Sequence, residues 1–214
     1  MDWIDELTVA QSLHAECGFA WLDSNRSEAR DGRYSFLAAW PVEEIRVVFG
    51  DDHPFEALSR IHRSPGVPSG EGPTPSEVPS WIGYIAYDAF WSAPARGTPR
   101  FARKTDPIVL FRRYPALLAI DHDEGGAFIV GDDECSCRRF LDRVRACSPP
   151  KCPPPVIGRV RADDAATHRQ AIAMALEHIA KGEVYEVNVA RRWSASFEGD
   201  ALALWQAMRI ASRV

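Results

Sequence analysis

The sequence predicts an α+β fold, because strand patterns outnumber helical patterns and the two kinds follow one another in mixed order. The first half is β-rich, with short apolar runs separated by turn residues. Hydrophobic residues make up 46% of the 214 residues, which is enough for a real core in one large domain or two small ones. No internal repeat is visible in the sequence.

The first elements are a short apolar run, two strand candidates and a helix. An apolar run at Phe19–Leu22 precedes a polar stretch of turn composition, and "RYSFLAAW" and "IRVVF" then have strand composition. "DDHPFEALSRIH" predicts a helix, because Asp52 can cap its N-terminus and Pro54 fits the first turn, where a missing N–H costs nothing.

A loop and a further set of strands follow. Residues 63–80 are rich in Pro, Gly and Ser, a composition that predicts a loop or a mobile insertion. Trp81–Phe90 has an apolar, aromatic strand pattern, in which Gly83 predicts a bulge or the close approach of another backbone. Residues 106–132 predict strands joined by turns, with "DEGG" as a hairpin signal.

A stiff linker is predicted near residue 150. Arg138–Ala146 has a helical pattern, and the Pro-rich segment 148–155 that follows it indicates a subdomain boundary. We therefore expect a leading domain over 1–147 and a second domain over 156–214.

The second domain begins with the strand pattern "VIGRVR" and a helix. Asp163 or Asp164 caps this helix, Lys181 suits its C-terminal end, and Gly182 is the stop residue. Three residues at helical spacing predict a stripe that faces a core: Ile172, Leu176 and Ile179.

Residues Glu183–Trp193 have the most informative pattern. As a strand, they would place Tyr185 and the valines two and four residues later on a core face, with Glu186 and Asn188 on the other face. That other face is either solvated or, in a central strand, the wall of a functional site, because a buried carboxylate must have partners. A last helix is predicted after Asp200.

Composition and motifs exclude several classes of function. The net charge of -5 gives no reason to expect a nucleic acid as partner. The longest apolar runs are too short to span a bilayer, and the acidic N-terminus is unlike a signal peptide, so we expect a soluble, cytoplasmic protein. Signatures of phosphate loops, dinucleotide sites, serine hydrolases and zinc proteases are absent, and the histidines show no ligand spacing.

The cysteines leave two interpretations open. An odd count of five, without an export signal, argues against a disulfide framework. Four of them, from Cys135 to Cys152, have a spacing unlike that of standard zinc knuckles. A zinc site is conceivable, but reduced cysteines around a surface helix and linker are the simpler interpretation.

Three segments, in the right order, resemble one enzyme family. "WLDSNRSEARDGRYSFLAAWP" is similar to its L-[LD]-[ED]-S…G-R-[YF]-S-[FI] signature, and "WIGYIAYD" to its G-[WY]-x-G-Y-x-x-Y-D segment. "GEVYEVNV" at Gly182–Val189 resembles its G-[DE]-x-[YF]-[QE]-V-N-[LV] strand, and "GD" at Gly199 the start of its next helix. Over most of its length the chain thus resembles component I of anthranilate synthase and of aminodeoxychorismate synthase.

The resemblance implies a mixed fold of antiparallel sheets with flanking helices, in which residues 156–214 begin the chorismate-binding domain. It implies amination of chorismate, with ammonia from a glutamine amidotransferase subunit and Mg²⁺ holding the substrate carboxylate. The terminal "RIASRV" favours the aminodeoxychorismate branch, which serves para-aminobenzoate and folate biosynthesis. Anthranilate synthase, in tryptophan biosynthesis, is the alternative.

The resemblance also implies roles for single residues. Glu186 stands where the related isochorismate- and salicylate-forming enzymes carry a lysine base, so the absence of a lysine there would disfavour water as nucleophile and leave the site to ammonia. Glu186 could also help to accept a proton. The candidate pocket for tryptophan is formed by Ser24, Arg33, Tyr34 and Ser35. Its hydroxyl and guanidinium groups suit the charged ends of an amino acid.

The pocket has a regulatory role in some relatives and a structural one in others. It is the feedback site of anthranilate synthases, whereas some aminodeoxychorismate synthases hold tryptophan there as a structural ligand. Asp23 replaces the Glu common in anthranilate synthases, which disfavours regulation here. The other interpretation of Arg33 is a surface salt bridge.

The Glu-rich Mg²⁺ motifs of the family lie in its C-terminal part, beyond Val214. We therefore expect this chain alone not to catalyse the amination and to leave strand edges and apolar faces exposed. The alternatives are a standalone amino-acid-binding module and a nonfunctional truncated product.

Overall fold

The protein divides into two compact units. The computed structural model describes residues 5–24, 32–51, 54–61, 73, 77–92, 106–148 and 153–211. Of these, the larger unit ends at residue 148 and the smaller unit begins at residue 153. The predictions for Asp52, for most of the loop 63–80, for Cys152 and for the end of "RIASRV" lie outside the described residues.

The larger unit consists of two antiparallel sheets and flanking helices, so the α+β prediction is confirmed. The first sheet has the strand order β1-β2-β6-β7 and the second has the order β3-β5-β4. Its elements are α1 (Glu6–Leu13), β1 (Ala20–Leu22), β2 (Tyr34–Ala38), β3 (Glu43–Val48), α2 (Pro54–Leu58), β4 (Trp81–Ile85), a 3-10 helix (Tyr87–Ser92), β5 (Pro107–Arg113), β6 (Ala116–Asp121), β7 (Gly126–Gly131) and α3 (Glu134–Ala146).

The first sheet is buried on both faces. Alternation along β2 and β6 places Leu37 and Leu118 on one face, where residues of α1 and α3 cover them. Ala38 and Leu117 lie on the opposite face, in a cluster that includes Ile82 of the second sheet. The fixed register of β2 against β6 also determines which polar residues meet where the two strands end.

Helix α1 was not predicted, although its signals are in the sequence. The side chain of Asp5 caps it by accepting the backbone N–H of Thr8 at 3.1 Å. Val9 and Leu13, four residues apart, are buried against the first sheet.

Further predictions for the larger unit concern β4 and the hairpin between β6 and β7. The predicted strand Trp81–Phe90 ends at Ile85, and a 3-10 helix follows it. A side chain on Gly83 would overlap the carbonyl oxygen of Leu110, so the predicted close approach is confirmed. The "DEGG" hairpin joins β6 to β7, with Gly125 at a φ of 71°.

The described part of the smaller unit contains two helices and four very short strands. Asp164 caps α4 by accepting the N–H of Thr167 at 2.8 Å, and Gly182 stops the helix at a φ of 73°, as predicted. Among the described helices, none has both the length and the apolar character needed to cross a membrane. The elements are β8 (Val156–Ile157), β9 (Arg161–Ala162), α4 (Ala165–Ala180), β10 (Trp193–Ser194), β11 (Phe197–Glu198) and α5 (Ala201–Ala211).

Two predictions for the smaller unit are wrong. Residues 183–192 form no strand, because no described strand forms a ladder with them, and Tyr185 is 97% exposed rather than in a core. The predicted core-facing stripe of α4 is also exposed, and Leu176 in it is 62% accessible. Both patterns need a packing partner, and the described part of this unit supplies none.

Candidate functional site

The four residues of the candidate amino-acid pocket meet at one end of the first sheet. The β1–β2 ladder stops at the pair Leu22–Phe36, and side chains continue the connection beyond it. The backbone N–H of Ser24 donates to Ser35 Oγ at 3.0 Å, and Ser24 Oγ donates to the carbonyl of Tyr34 at 2.9 Å. We call the following group the sheet-end cluster: Ser24, Arg33, Tyr34, Ser35, Asp121 and His122.

A buried carboxylate orients the guanidinium of the cluster. Asp121 is 2% exposed, and its Oδ2 accepts Nε and Nη2 of Arg33 at 2.9 and 2.6 Å. Its Oδ1 accepts the backbone N–H groups of Asp123 and Glu124 at 3.0 and 3.2 Å. Burial works to raise the pKa of Asp121, but the bonds from Arg33 and from the two N–H groups outweigh it and hold that pKa below its usual value.

Arg33 is anchored on one side and remains partly accessible. Its guanidinium lies over the ring of Tyr34, 4.9 Å from the ring centre, and its side chain is 39% exposed. Burial, followed by the charge of Asp121, raises the pKa of Tyr34. Nη1 of Arg33 makes no hydrogen bond to a described residue. The observed contacts of Arg33 are thus those of a salt bridge, with one nitrogen left for a further acceptor.

A second interaction holds the buried hydroxyl of the cluster. Ser35 is fully buried, and its Oγ lies 2.7 Å from Nε2 of His122. The backbone N–H of His122 donates to the carbonyl of Arg33 at 2.8 Å, which continues the β2–β6 pairing into the turn. Sequence reasoning missed Asp121 and His122, whose only signal was their place between an apolar strand and the hairpin turn.

Glu186 lies in the smaller unit, in the irregular segment 183–192. Glu186 and Asn188 are both exposed. The segment is fastened to α4 by His168, whose Nε2 lies 3.2 Å from the carbonyl oxygen of Val189. Near the end of the segment, Nε of Arg191 donates to the carbonyl of Asp163 at 2.9 Å. Glu186 therefore stands on a tethered segment without a protein partner among the described residues.

Histidines have local roles that their sequence spacing did not reveal. His178, at the end of α4, pairs with Glu183 just beyond the glycine stop. Together with His168, it holds the start and the middle of the segment 183–192 near its own helix. Neither side chain belongs to a group of possible metal ligands among the described residues.

The described cysteines show no metal site. Cys135 and Cys137 lie in the first turn of α3, which begins four residues before the predicted start. Burial, followed by nearby carboxylates, raises the pKa of Cys137 and of Cys147. No three His, Cys, Asp or Glu side chains in the described part of the chain form a group that could hold a metal ion.

A cleft of about 600 Å³ lies beside β3 and α2. Its rim is exposed and carries both positive and negative side chains, so it shows no preference for one ligand charge. No sequence motif pointed to this cleft. It is lined by Arg46, Val47, Gly50, Asp51, Glu56, Ala57 and Arg60.

Comparisons with known proteins cover nearly the whole chain. A family model described as chorismate binding enzyme matches residues 19–214. A solved structure of anthranilate synthase component I from Streptococcus pneumoniae TIGR4 matches with a TM-score of 0.60 and 20% sequence identity, over 86% of this chain and 46% of that chain. The chain thus spans about half the length of that relative, and the match supports the predicted fold. No curated protein matches the sequence.

Proposed function

Because this chain belongs to the family of chorismate-binding enzymes, we propose that it is part of component I of an aminodeoxychorismate synthase. The match of the family model confirms the family assignment that was made from the three sequence segments. The proposed reaction adds ammonia to the ring of chorismate with loss of the hydroxyl group, giving 4-amino-4-deoxychorismate. A glutamine amidotransferase subunit would supply the ammonia.

The match of the family to residues 19–214 is the observation that carries this proposal. The choice of branch rests on the terminal "RIASRV", and anthranilate synthase is the alternative product class. We propose that Glu186 favours ammonia over water, because a carboxylate in place of a lysine offers no neutral amine base to activate water. Its exposure in the smaller unit leaves its side chain accessible to a substrate.

Mg²⁺ does not fit the residues described here. No group of carboxylates among them could hold the ion, although carboxylate oxygens are its preferred protein ligands. The resemblance assigns the Mg²⁺ ligands to the C-terminal part of the family.

The test is a product assay on the complete open reading frame that contains these 214 residues. With chorismate, ammonium and Mg²⁺, we expect 4-amino-4-deoxychorismate, identified by chromatography and mass spectrometry. Anthranilate as the product would overturn the choice of branch.

Substitution at Glu186 tests its proposed role in the same assay. Glu186→Lys should divert part of the chorismate to the hydrated product isochorismate, because a lysine can act as the base for water. Glu177→Lys, an equal change of charge on the exposed side of α4, is the control and should leave the product unchanged. Identical products from both variants would contradict the role of Glu186.

A second candidate function is supported by the sheet-end cluster, which we propose as a binding site for an amino acid such as tryptophan. Nη1 of Arg33 would meet the carboxylate of the ligand, since a guanidinium binds this group well. Calorimetry with tryptophan tests this on the chain as it stands. Arg33→Met should abolish binding, whereas Arg112→Met, which removes a guanidinium paired with Glu44 on the second sheet, should not.

A further inference from the structure

Two consecutive residues where β6 enters the β6–β7 turn hold two other residues of the sheet-end cluster by hydrogen bonds. Asp121 binds the guanidinium of Arg33, and His122 binds the hydroxyl of Ser35. Oδ1 of Asp121 accepts the backbone N–H groups of Asp123 and Glu124. The turn is therefore ordered around this carboxylate. The two contacts therefore depend on one short piece of backbone.

The hydroxyl of Ser35 can form only a few hydrogen bonds. It carries one proton and two lone pairs, and one lone pair accepts the N–H of Ser24 at 3.0 Å. Since Ser35 is fully buried, its proton needs a partner inside the protein. Nε2 of His122, at 2.7 Å, accepts it when the imidazole is neutral with its proton on Nδ1.

We propose that His122 is a positioning residue for the amino-acid site, acting through Ser35 on the backbone of Ser24. It does not touch the ligand. The bond to His122 fixes the rotamer of Ser35, and the fixed oxygen holds the N–H of Ser24 two residues after the last β1–β2 pair. This keeps β1 and β2 at a constant separation where the ladder has ended. The inference rests on the proposed amino-acid site.

Two measurements on the whole chain test the proposal. The first is hydrogen exchange at the amide of Ser24, followed by nuclear magnetic resonance, which needs no ligand. Exchange should accelerate in His122→Ala and in Ser35→Ala. It should stay near the wild-type rate in His122→Gln, which keeps a polar group within reach of Ser35, and in Asp123→Ala, the control in the same turn.

The second measurement is the affinity for tryptophan by calorimetry. His122→Ala should weaken binding roughly tenfold, as expected for loss of one hydrogen bond at a buried group, and His122→Gln should restore most of it. Unchanged exchange at Ser24 in His122→Ala would overturn the proposal, and so would equal affinities of His122→Ala and the wild type. A wild-type chain that binds no tryptophan, but shows the exchange effect, would refute the proposed site and leave the control of Ser24 by His122 intact.

Discussion

The carboxylate of Asp121 gives the sharpest test of how the sheet-end cluster is held. Asp121→Asn keeps an oxygen for the N–H groups of the turn but removes the negative charge that faces Arg33. A hydrogen bond to a charged group contributes about 1.5–3 kcal/mol, and removing the charge while keeping a polar partner should cost the lower part of that range. Solvent screening reduces it further, because Arg33 is 39% exposed. We expect the free energy of unfolding to fall by about 1–2 kcal/mol at pH 7.

Urea unfolding, followed by circular dichroism, measures this change. The control is Glu124→Gln, because Glu124 is 77% exposed and its contact with Arg33 is longer, at 3.3 Å. The pKa of Asp121 is lowered by folding, so its stabilisation is present above the ordinary carboxyl value of about 4 and is lost as the pH falls through the folded value. The difference between wild type and Asp121→Asn should therefore shrink below about pH 4. Equal stabilities at pH 7, or a difference that stays constant in acid, would refute this account.

Two substitutions and one labelling experiment test other parts of the larger unit. Gly83→Ala should lower its stability by about 1–3 kcal/mol, because the new Cβ overlaps the carbonyl oxygen of Leu110; an unchanged urea midpoint would contradict the close approach. Tyr114→Phe should cost about 1 kcal/mol in the same titration, since its hydroxyl donates a buried bond of 2.6 Å to a backbone carbonyl. Iodoacetamide at pH 8 should label Cys147 more slowly than the exposed Cys135, because burial and a neighbouring carboxylate raise the pKa of Cys147; equal rates by mass spectrometry would count against this.

Features that depend on a few neighbouring residues were predictable from the sequence. The cap of α4 at Asp164 and its stop at Gly182 follow from local hydrogen bonds and from the left-handed backbone that glycine adopts easily. The hairpin at Gly125 follows for the same reason. Helix α1 could also have been predicted, from the cap at Asp5 and the apolar spacing after it.

The candidate amino-acid site was predictable only in part. Ser24, Arg33, Tyr34 and Ser35 were chosen through a family resemblance, and the structure brings them together. Asp121 and His122, which hold two of them, lie 88 and 87 residues further along the chain than their partners. No local pattern encodes such a pairing, because it depends on the register of β2 against β6.

The sequence by itself determined the α+β class, the two ends of α4, the hairpin turn and the family, since each depends on composition or on short-range patterns. The tertiary structure alone decided which patterns became buried. Alternation in β2 led to a core because β1 and β6 pair with it and α1 and α3 cover it. The same alternation in 183–192 did not make a strand, because a strand exists only where a second backbone completes its hydrogen bonds.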